Sequence, residues 1–269
     1  MHINMNADIT KMHAVILAGD RPGGSSLAQD FCVESSVLIK IHGKSCLQRV
    51  IDTLRQSKEI SGICVVGEKN LSTQIDSSLQ KASKEFSCNW LPPEEGPAAS
   101  AVTAVSRLEN FPCLLTTGDH ALLSSETISS FLKMASKTSS DFTVGLVPFA
   151  NVQNTFPDNK RTLLKFREGV FCGSNLFLIK NKEGIKVLEY WKTVEAMRKK
   201  PWKIAQQLGI RCLFSYFIGY LTLRKALRII SQRAGAKLSY TVIADPLAAI
   251  DIDTKADYDI AENWLRNEN

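Results

Sequence analysis

The feature that most constrains this chain is its alternation of short apolar runs with segments of helical period. Ala14-Val15-Ile16-Leu17-Ala18 is apolar throughout and ends in a glycine loop. Ile63-Cys64-Val65-Val66, closed by Gly67, is a second such run. Cys88 to Leu91, which meets Pro92-Pro93, and Cys113-Leu114-Leu115-Thr116-Thr117 follow. Runs this short, apolar on both faces, read as strands buried between two layers. Between them, Leu47, Val50, Ile51 and Leu54 recur at helix spacing. Leu71 to Ala82 and Ala98 to Leu108 are expected to be helices, and Ser125 is expected to cap a helix over 126–135. This order predicts an α/β fold: three α/β/α layers around a mostly parallel central sheet.

The second half changes character. Phe142 to Val147, Thr162 to Phe166, Val170 to Ile179 and Tyr240 to Ala244 read as strands. Residues 184–235 read as mostly helical, and Lys255 to Leu265 as a closing helix with Thr254 as its cap. Without a repeat or a clear linker, the 269 residues read as one domain, with a basic helical insertion at about 184–238.

Ligands of open α/β sheets bind at the carboxyl ends of the strands, where two distinctive loops fall. After the first strand comes Gly19-Asp20-Arg21-Pro22-Gly23-Gly24. Glycines let backbone N–H groups approach an anion, and Arg21 adds a permanently charged phosphate donor. Neither G-x-x-x-x-G-K-[ST] nor G-x-G-x-x-G is present. A flexible turn without a ligand is the bland alternative. After the Cys113 run comes Gly118-Asp119-His120. Near the end, Ile250-Asp251-Ile252-Asp253-Thr254 puts both acids on one face if extended. Asp119 with Asp253, or Asp251, could hold one Mg²⁺ whose remaining ligands are nucleotide phosphates.

Taken together, these residues resemble the MobA-like (molybdenum-cofactor guanylyltransferase-like) NTP transferases, which have a GT-A type fold. The matching pieces are Val15 to Gly19 with Arg21, His42-Gly43-Lys44-Ser45, Gly118-Asp119-His120-Ala121-Leu122-Leu123, Gly173-Ser174-Asn175 and Asp251-Ile252-Asp253-Thr254 with Asp257. The resemblance implies that Leu17, Ala18 and Gly19 contact base and ribose, with Asp20, Gly23 and Gly24 in the same loop. Arg21 would bind triphosphate, Gly96 would close over the base, and Asn175 with Gly173 would face the acceptor. Asp119 and Asp253 would hold Mg²⁺, with Asp251 as the further acid. The implied reaction moves an NMP from an NTP to a small phosphorylated acceptor and releases pyrophosphate. The family usually carries a Lys where this chain has Ser36, which removes a cation from the transferring phosphate. Lys40 and Lys44 are candidate substitutes; if 37–41 is a strand, Lys40 shares a face with Ser36.

Two other functions stay open on the residues. A nucleotide-sugar glycosyltransferase would want a second acid in a D-x-D motif, and Asp119-His120-Ala121 lacks it. A nonenzymatic nucleotide-binding protein is supported by Ser36. The net charge of +6 suits an anionic small molecule as well as a polyanion, and no recognised motif points to nucleic acid. The 7 cysteines form no C-x-x-C pair, so buried free thiols are expected, and the 4 histidines show no zinc-ligand spacing. The opening residues lack a basic and then apolar leader, so the expectation is cytoplasmic. The basic insertion, with its interleaved aromatics, has three readings: helices with a solvated basic face, an acceptor-binding lid, or a peripheral membrane contact through 200–230.

Overall fold

The computed structural model describes residues 11–20, 23–75, 86–157, 159–197, 214–216 and 218–267. In chain order the strands are β1 (Met12–Leu17), β2 (Lys40–Ile41), β3 (Lys44–Ser45), β4 (Ile60–Val66), β5 (Ser87–Leu91), β6 (Cys113–Thr117), β7 (Phe142–Pro148), β8 (Leu164–Phe166), β9 (Gly169–Ile179) and β10 (Leu238–Val242). The helices are α1 (Ser26–Asp30), α2 (Cys46–Gln56), α3 (Leu71–Gln74), α4 (Pro97–Leu108), α5 (Ser125–Ser136), α6 (Phe149–Thr155), α7 (Ile185–Ala196), α8 (Leu223–Ala234) and α9 (Lys255–Asn267).

The main sheet runs β10-β7-β9-β6-β1-β4-β5, with β8 added to β9. The pairs β1–β4, β1–β6, β4–β5 and β7–β10 are parallel. β9 is antiparallel to both neighbours, β6 and β7, and β8 is antiparallel to β9. A mostly parallel sheet with a helical layer on each face is therefore observed, as the apolar runs predict. The reason is visible in β1. Ala14 and Ile16 enter one core with Ile63, Val65 and Leu114, while Val15 and Leu17 enter the other with Cys64, Val66 and Leu115. Successive strand residues face opposite layers, so a strand covered on both faces must be apolar at every position.

Several boundaries differ from the expectations. The cap before α5 is Ser124, whose hydroxyl accepts from Thr127 N at 3.1 Å, so the helix begins at Ser125 itself. The expected strand over 37–41 is not formed: Ser36–Leu38 is a 3₁₀ turn, and only Lys40–Ile41 is extended. The last strand is Leu238–Val242 rather than Tyr240 to Ala244, and β8 starts at Leu164. Beyond Gln74 the expected Leu71–Ala82 helix lies mostly outside the described residues, as does the middle of the insertion. Thr254 does cap α9. It receives Asp257 N on its hydroxyl (3.3 Å), and its own N–H donates to Asp257 Oδ2 (2.8 Å), a reciprocal capping box.

Candidate functional site

The parallel strands β1 and β6 end side by side. Gly118 N donates to Leu17 O at 2.8 Å, which fixes the glycine loop after β1 against the Asp119 loop after β6. A side chain at Gly118 would crowd its neighbours. A Cβ would lie 3.2 Å from Leu47 and Val37 side chains and 3.4 Å from Ala18 Cβ. Gly23 and Gly24 both have positive φ (104° and 76°), a conformation that favours glycine. Arg21 lies outside the described residues.

Beside the loop is a cavity of about 390 Å³. Ala18, Asp20 and Gly24 line it from one side and Ser35, Glu68 and Glu94 from the others. Its wall is rich in hydrogen-bond acceptors, which suit hydroxyl and amino donors better than bare phosphate. Ser35 Oγ is buried there without a hydrogen-bond partner, a polar atom that a ligand could satisfy. Ser36 Oγ donates to Asp20 Oδ1 at 2.9 Å. The hydroxyl that stands where the family has a Lys is thus used to hold the glycine loop.

Neither candidate replacement cation reaches that cavity wall. Lys40 lines a separate cavity of about 800 Å³ with Phe31, Gly43 and Tyr258. Lys44 lines the same cavity and donates to Asp52 at 2.9 Å. Gly96 borders the cavity through its neighbours Glu94 and Glu95, but its own open face is covered by the Glu195 carboxylate, 3.1 Å from where a Cβ would sit. Glu195 also accepts from Ala98 N at 3.1 Å, at the start of α4.

The acids converge. Ile252 N donates to Asp119 O at 3.1 Å, a backbone bond that pulls the closing segment onto the end of β6. Carboxylate oxygens of Asp119, Asp251 and Asp253 come within 4.8 Å of one another. Thr117 Oγ1 donates to Asp119 Oδ1 at 2.5 Å and orients it. Burial pushes the Asp119 carboxyl above its ordinary range; the Asp251 carboxylate pushes the same way, against His120 and the Thr117 hydrogen bond. Three crowded oxygen ligands without sulfur form a hard donor set that fits Mg²⁺.

Two further residues complete the neighbourhood: Arg161, which the sequence did not single out, and Asn175, which the family resemblance placed toward the acceptor. Arg161 is 8% exposed at its side chain and forks between Asp251 and Asp257, donating to Asp257 Oδ1 at 2.8 Å. It offsets the negative charge of Asp251 and Asp257. Asn175 sits in a bulge of β9. Gly173 pairs with Leu146 and Phe177 with Val144, so Ser174, Asn175 and Leu176 oppose Gly145 alone. Asn175 adopts φ 50°, and its amide nitrogen lies 2.9 Å from Nε2 of the buried His120. That contact ties the bulge to the Asp119 loop. Gly173 is exposed, with open space over its Cα.

The sequence pattern of the MobA-like NTP transferase domain matches residues 14–153, more than half of the chain. The chain belongs to the MobA-like NTP transferase family. A hypothetical transferase from Thermus thermophilus has a similar structure, with a TM-score of 0.78 and 25% identity, over 93% of this chain and 100% of that one. A 4-diphosphocytidyl-2C-methyl-D-erythritol synthase from Anaerococcus prevotii aligns with a TM-score of 0.60 at 14% identity, over 96% of this chain and 97% of that one. A CMP:2-keto-3-deoxy-manno-octonic acid synthetase complexed with CTP gives 0.61 at 13%, over 97% of this chain and 100% of that one. The last two likenesses concern the fold, which is of the GT-A nucleotidyltransferase class. No curated protein sequence matches the chain significantly.

Proposed function

We propose that this chain is a cytoplasmic Mg²⁺-dependent nucleotidyltransferase acting on a small phosphorylated acceptor, with the whole chain forming one transferase domain. The observation that carries the reading is the meeting, at one edge of the sheet, of the glycine loop with the carboxylates of Asp119, Asp251 and Asp253. An oxygen of the acceptor phosphate attacks the α-phosphorus of the NTP. The bond from the α-phosphorus to the bridging oxygen breaks, and pyrophosphate leaves. The acceptor-rich cavity lined by Ala18 would take base and ribose, with Leu17 and Gly19 the neighbours of Ala18 in the chain. Arg21 is assigned to the triphosphate. Asp119, Asp253 and Asp251 would hold the metal, which when bound neutralises charge on the transferring group. Asn175 and Gly173, beside the Asp119 loop, would border the acceptor. Most of the acceleration then comes from positioning and charge neutralisation.

The test is pyrophosphate release with each NTP and a panel of sugar and polyol phosphates. Asp119→Ala should abolish it while the variant remains folded. An unchanged rate would sink the assignment.

One observation favours a second reading. Ser36 spends its hydroxyl on Asp20, so no cation comes from that position. A nucleotide-binding protein without turnover would show calorimetric NTP binding and no pyrophosphate across the panel.

A further inference from the structure

The charge of this chain is segregated. No Asp or Glu occurs from Ala196 to Ala244, yet the stretch holds 10 of the 33 Lys and Arg residues. The remainder carries 23 Lys and Arg against all 27 acids, a net charge of −4, so the overall +6 comes entirely from this stretch.

The described part of the stretch also bears apolar surface. Phe214 is 65% exposed, Ile218 50% and Tyr220 70%. These are three of the four large hydrophobic residues exposed among the described residues. They are presented on a fixed frame. Tyr216 packs edge-on against Phe166 of β8 (ring centroids 5.9 Å apart), Arg167 N donates to Leu221 O at 3.0 Å, and Leu223 N donates to Glu168 at 2.9 Å. Leu223 and Leu227 bury the inner face of α8 against Leu146. Its outer face carries Arg224, Lys225 and Arg228, all exposed. Arg224 and Arg228 are four residues apart and Lys225 and Arg228 three, spacings at which like charges repel. Among the described residues no acid forms an ion pair with them.

We propose that this face docks on the surface of an anionic lipid bilayer, with Phe214, Ile218 and Tyr220 entering the interface and Arg224, Lys225 and Arg228 meeting the headgroups. Burial of exposed aromatic and aliphatic groups together with headgroup attraction is how peripheral elements bind. Phe214 and Ile218 together offer apolar surface that suits the acyl boundary, and no recognised nucleic-acid motif accompanies the charge. The no-crossing length of the helices is consistent with contact rather than insertion, since no described helix is long and apolar enough to span. The location has a consequence for the molecule. The start of β9 pairs with the carboxyl end of β7 (Phe171 with Pro148), so the β8–β9 tip and the patch hung on it lie at the Asp119 edge of the sheet. Docking would bring that edge close to the lipid.

The experiment is flotation of the full chain with vesicles of phosphatidylcholine alone or mixed with phosphatidylglycerol, at low and raised salt. Binding is expected only to the anionic vesicles and should weaken with salt. Arg224→Gln with Arg228→Gln should lower the partition coefficient about 30-fold, from roughly a five-fold effect per cation. Phe214→Ser with Ile218→Ser should lower it as well. Lys58→Gln with Lys69→Gln, cations elsewhere on the surface, should leave it unchanged. Circular dichroism melts keep loss of fold apart from loss of binding. No binding to anionic vesicles, equal binding to neutral ones, or an equal loss in the Lys58/Lys69 variant would each overturn the proposal. So would tight binding of an oligonucleotide that anionic vesicles fail to displace.

Discussion

Arg161→Met is the most informative single change outside the proposed chemistry. The side chain is 8% exposed, and its guanidinium is shared between Asp251 (24% exposed) and Asp257 (5% exposed). Methionine keeps much of the volume and removes the charge. Deleting one partner of a buried pair costs about 3–5 kcal/mol, because the other charge is left uncompensated. Here the lower end applies. Asp257 keeps donors from Thr254 N (2.8 Å) and Thr254 Oγ1 (2.7 Å), and Asp251 retains partial access to water. A loss of about 3 kcal/mol should lower Tm by roughly 6–12 °C for a chain of this size. Urea unfolding followed by circular dichroism measures it directly, with m unchanged. Mg²⁺ should stabilise the variant more than the parent, because a cation at Asp119, Asp251 and Asp253 replaces part of the missing charge. A cycle with Asp251→Asn should show coupling, the double variant losing less than the two singles together. A loss below about 1 kcal/mol, the range of a surface pair, would refute the account of Arg161 as the counter-charge of the acid cluster.

Three further outcomes follow from the same geometry. Ser36→Lys should raise pyrophosphate release roughly a hundredfold, by returning a cation to the transferring phosphate; an unchanged rate with nucleotide still bound would refute it. Asp119→Asn should be more stable than the parent at neutral pH in chelator. The folded-state carboxyl is raised by burial, so its ionisation opposes folding, and the advantage should fade as pH falls and the parent Asp119 takes up its proton; urea titrations at several pH values check the sign. Iodoacetamide at mildly alkaline pH should label the exposed Cys32 while Cys46 and Cys113, whose thiols burial pushes up to about 12, stay unmodified until the chain unfolds; mass spectrometry of the native protein decides it.

What the sequence made legible was whatever local chemistry repeats. β1, β4 and β6 are readable because burial on both faces demands apolar residues at every position, and α2 because Leu47, Val50, Ile51 and Leu54 mark one buried stripe. Asp119 could be placed from its position at a strand end, whereas its meeting with Asp251 and Asp253 was implied by the family resemblance. Arg161 could not, since one arginine in a polar loop carries no period; only the fold sets it beside Asp251, 90 residues away. The bulge that turns Asn175 toward His120 is likewise a property of pairing with β7. Ser124 and Ser125 are equally good caps on paper, and the choice was made by which hydroxyl meets Thr127 N. The 3₁₀ turn at Ser36–Leu38 escaped because Val37, Leu38 and Ile39 are all buried, a pattern that a strand shares.

The position of β9 has a consequence for how the sheet is built during synthesis. Residues 14–153, which carry the family's pattern, include β6 and β7, yet these two strands do not touch; β9 lies between them. When the ribosome has released β7, both inner edges still expose unpaired backbone N–H and C=O groups. Closure waits until residues 169–179 emerge and slide in antiparallel to both. A nascent chain paused after α6 therefore holds an open slot in its sheet, a ready seat for a foreign strand. Pulse proteolysis of ribosome-held chains should find Cys113–Thr117 and Phe142–Pro148 protected only once Ile179 has cleared the tunnel.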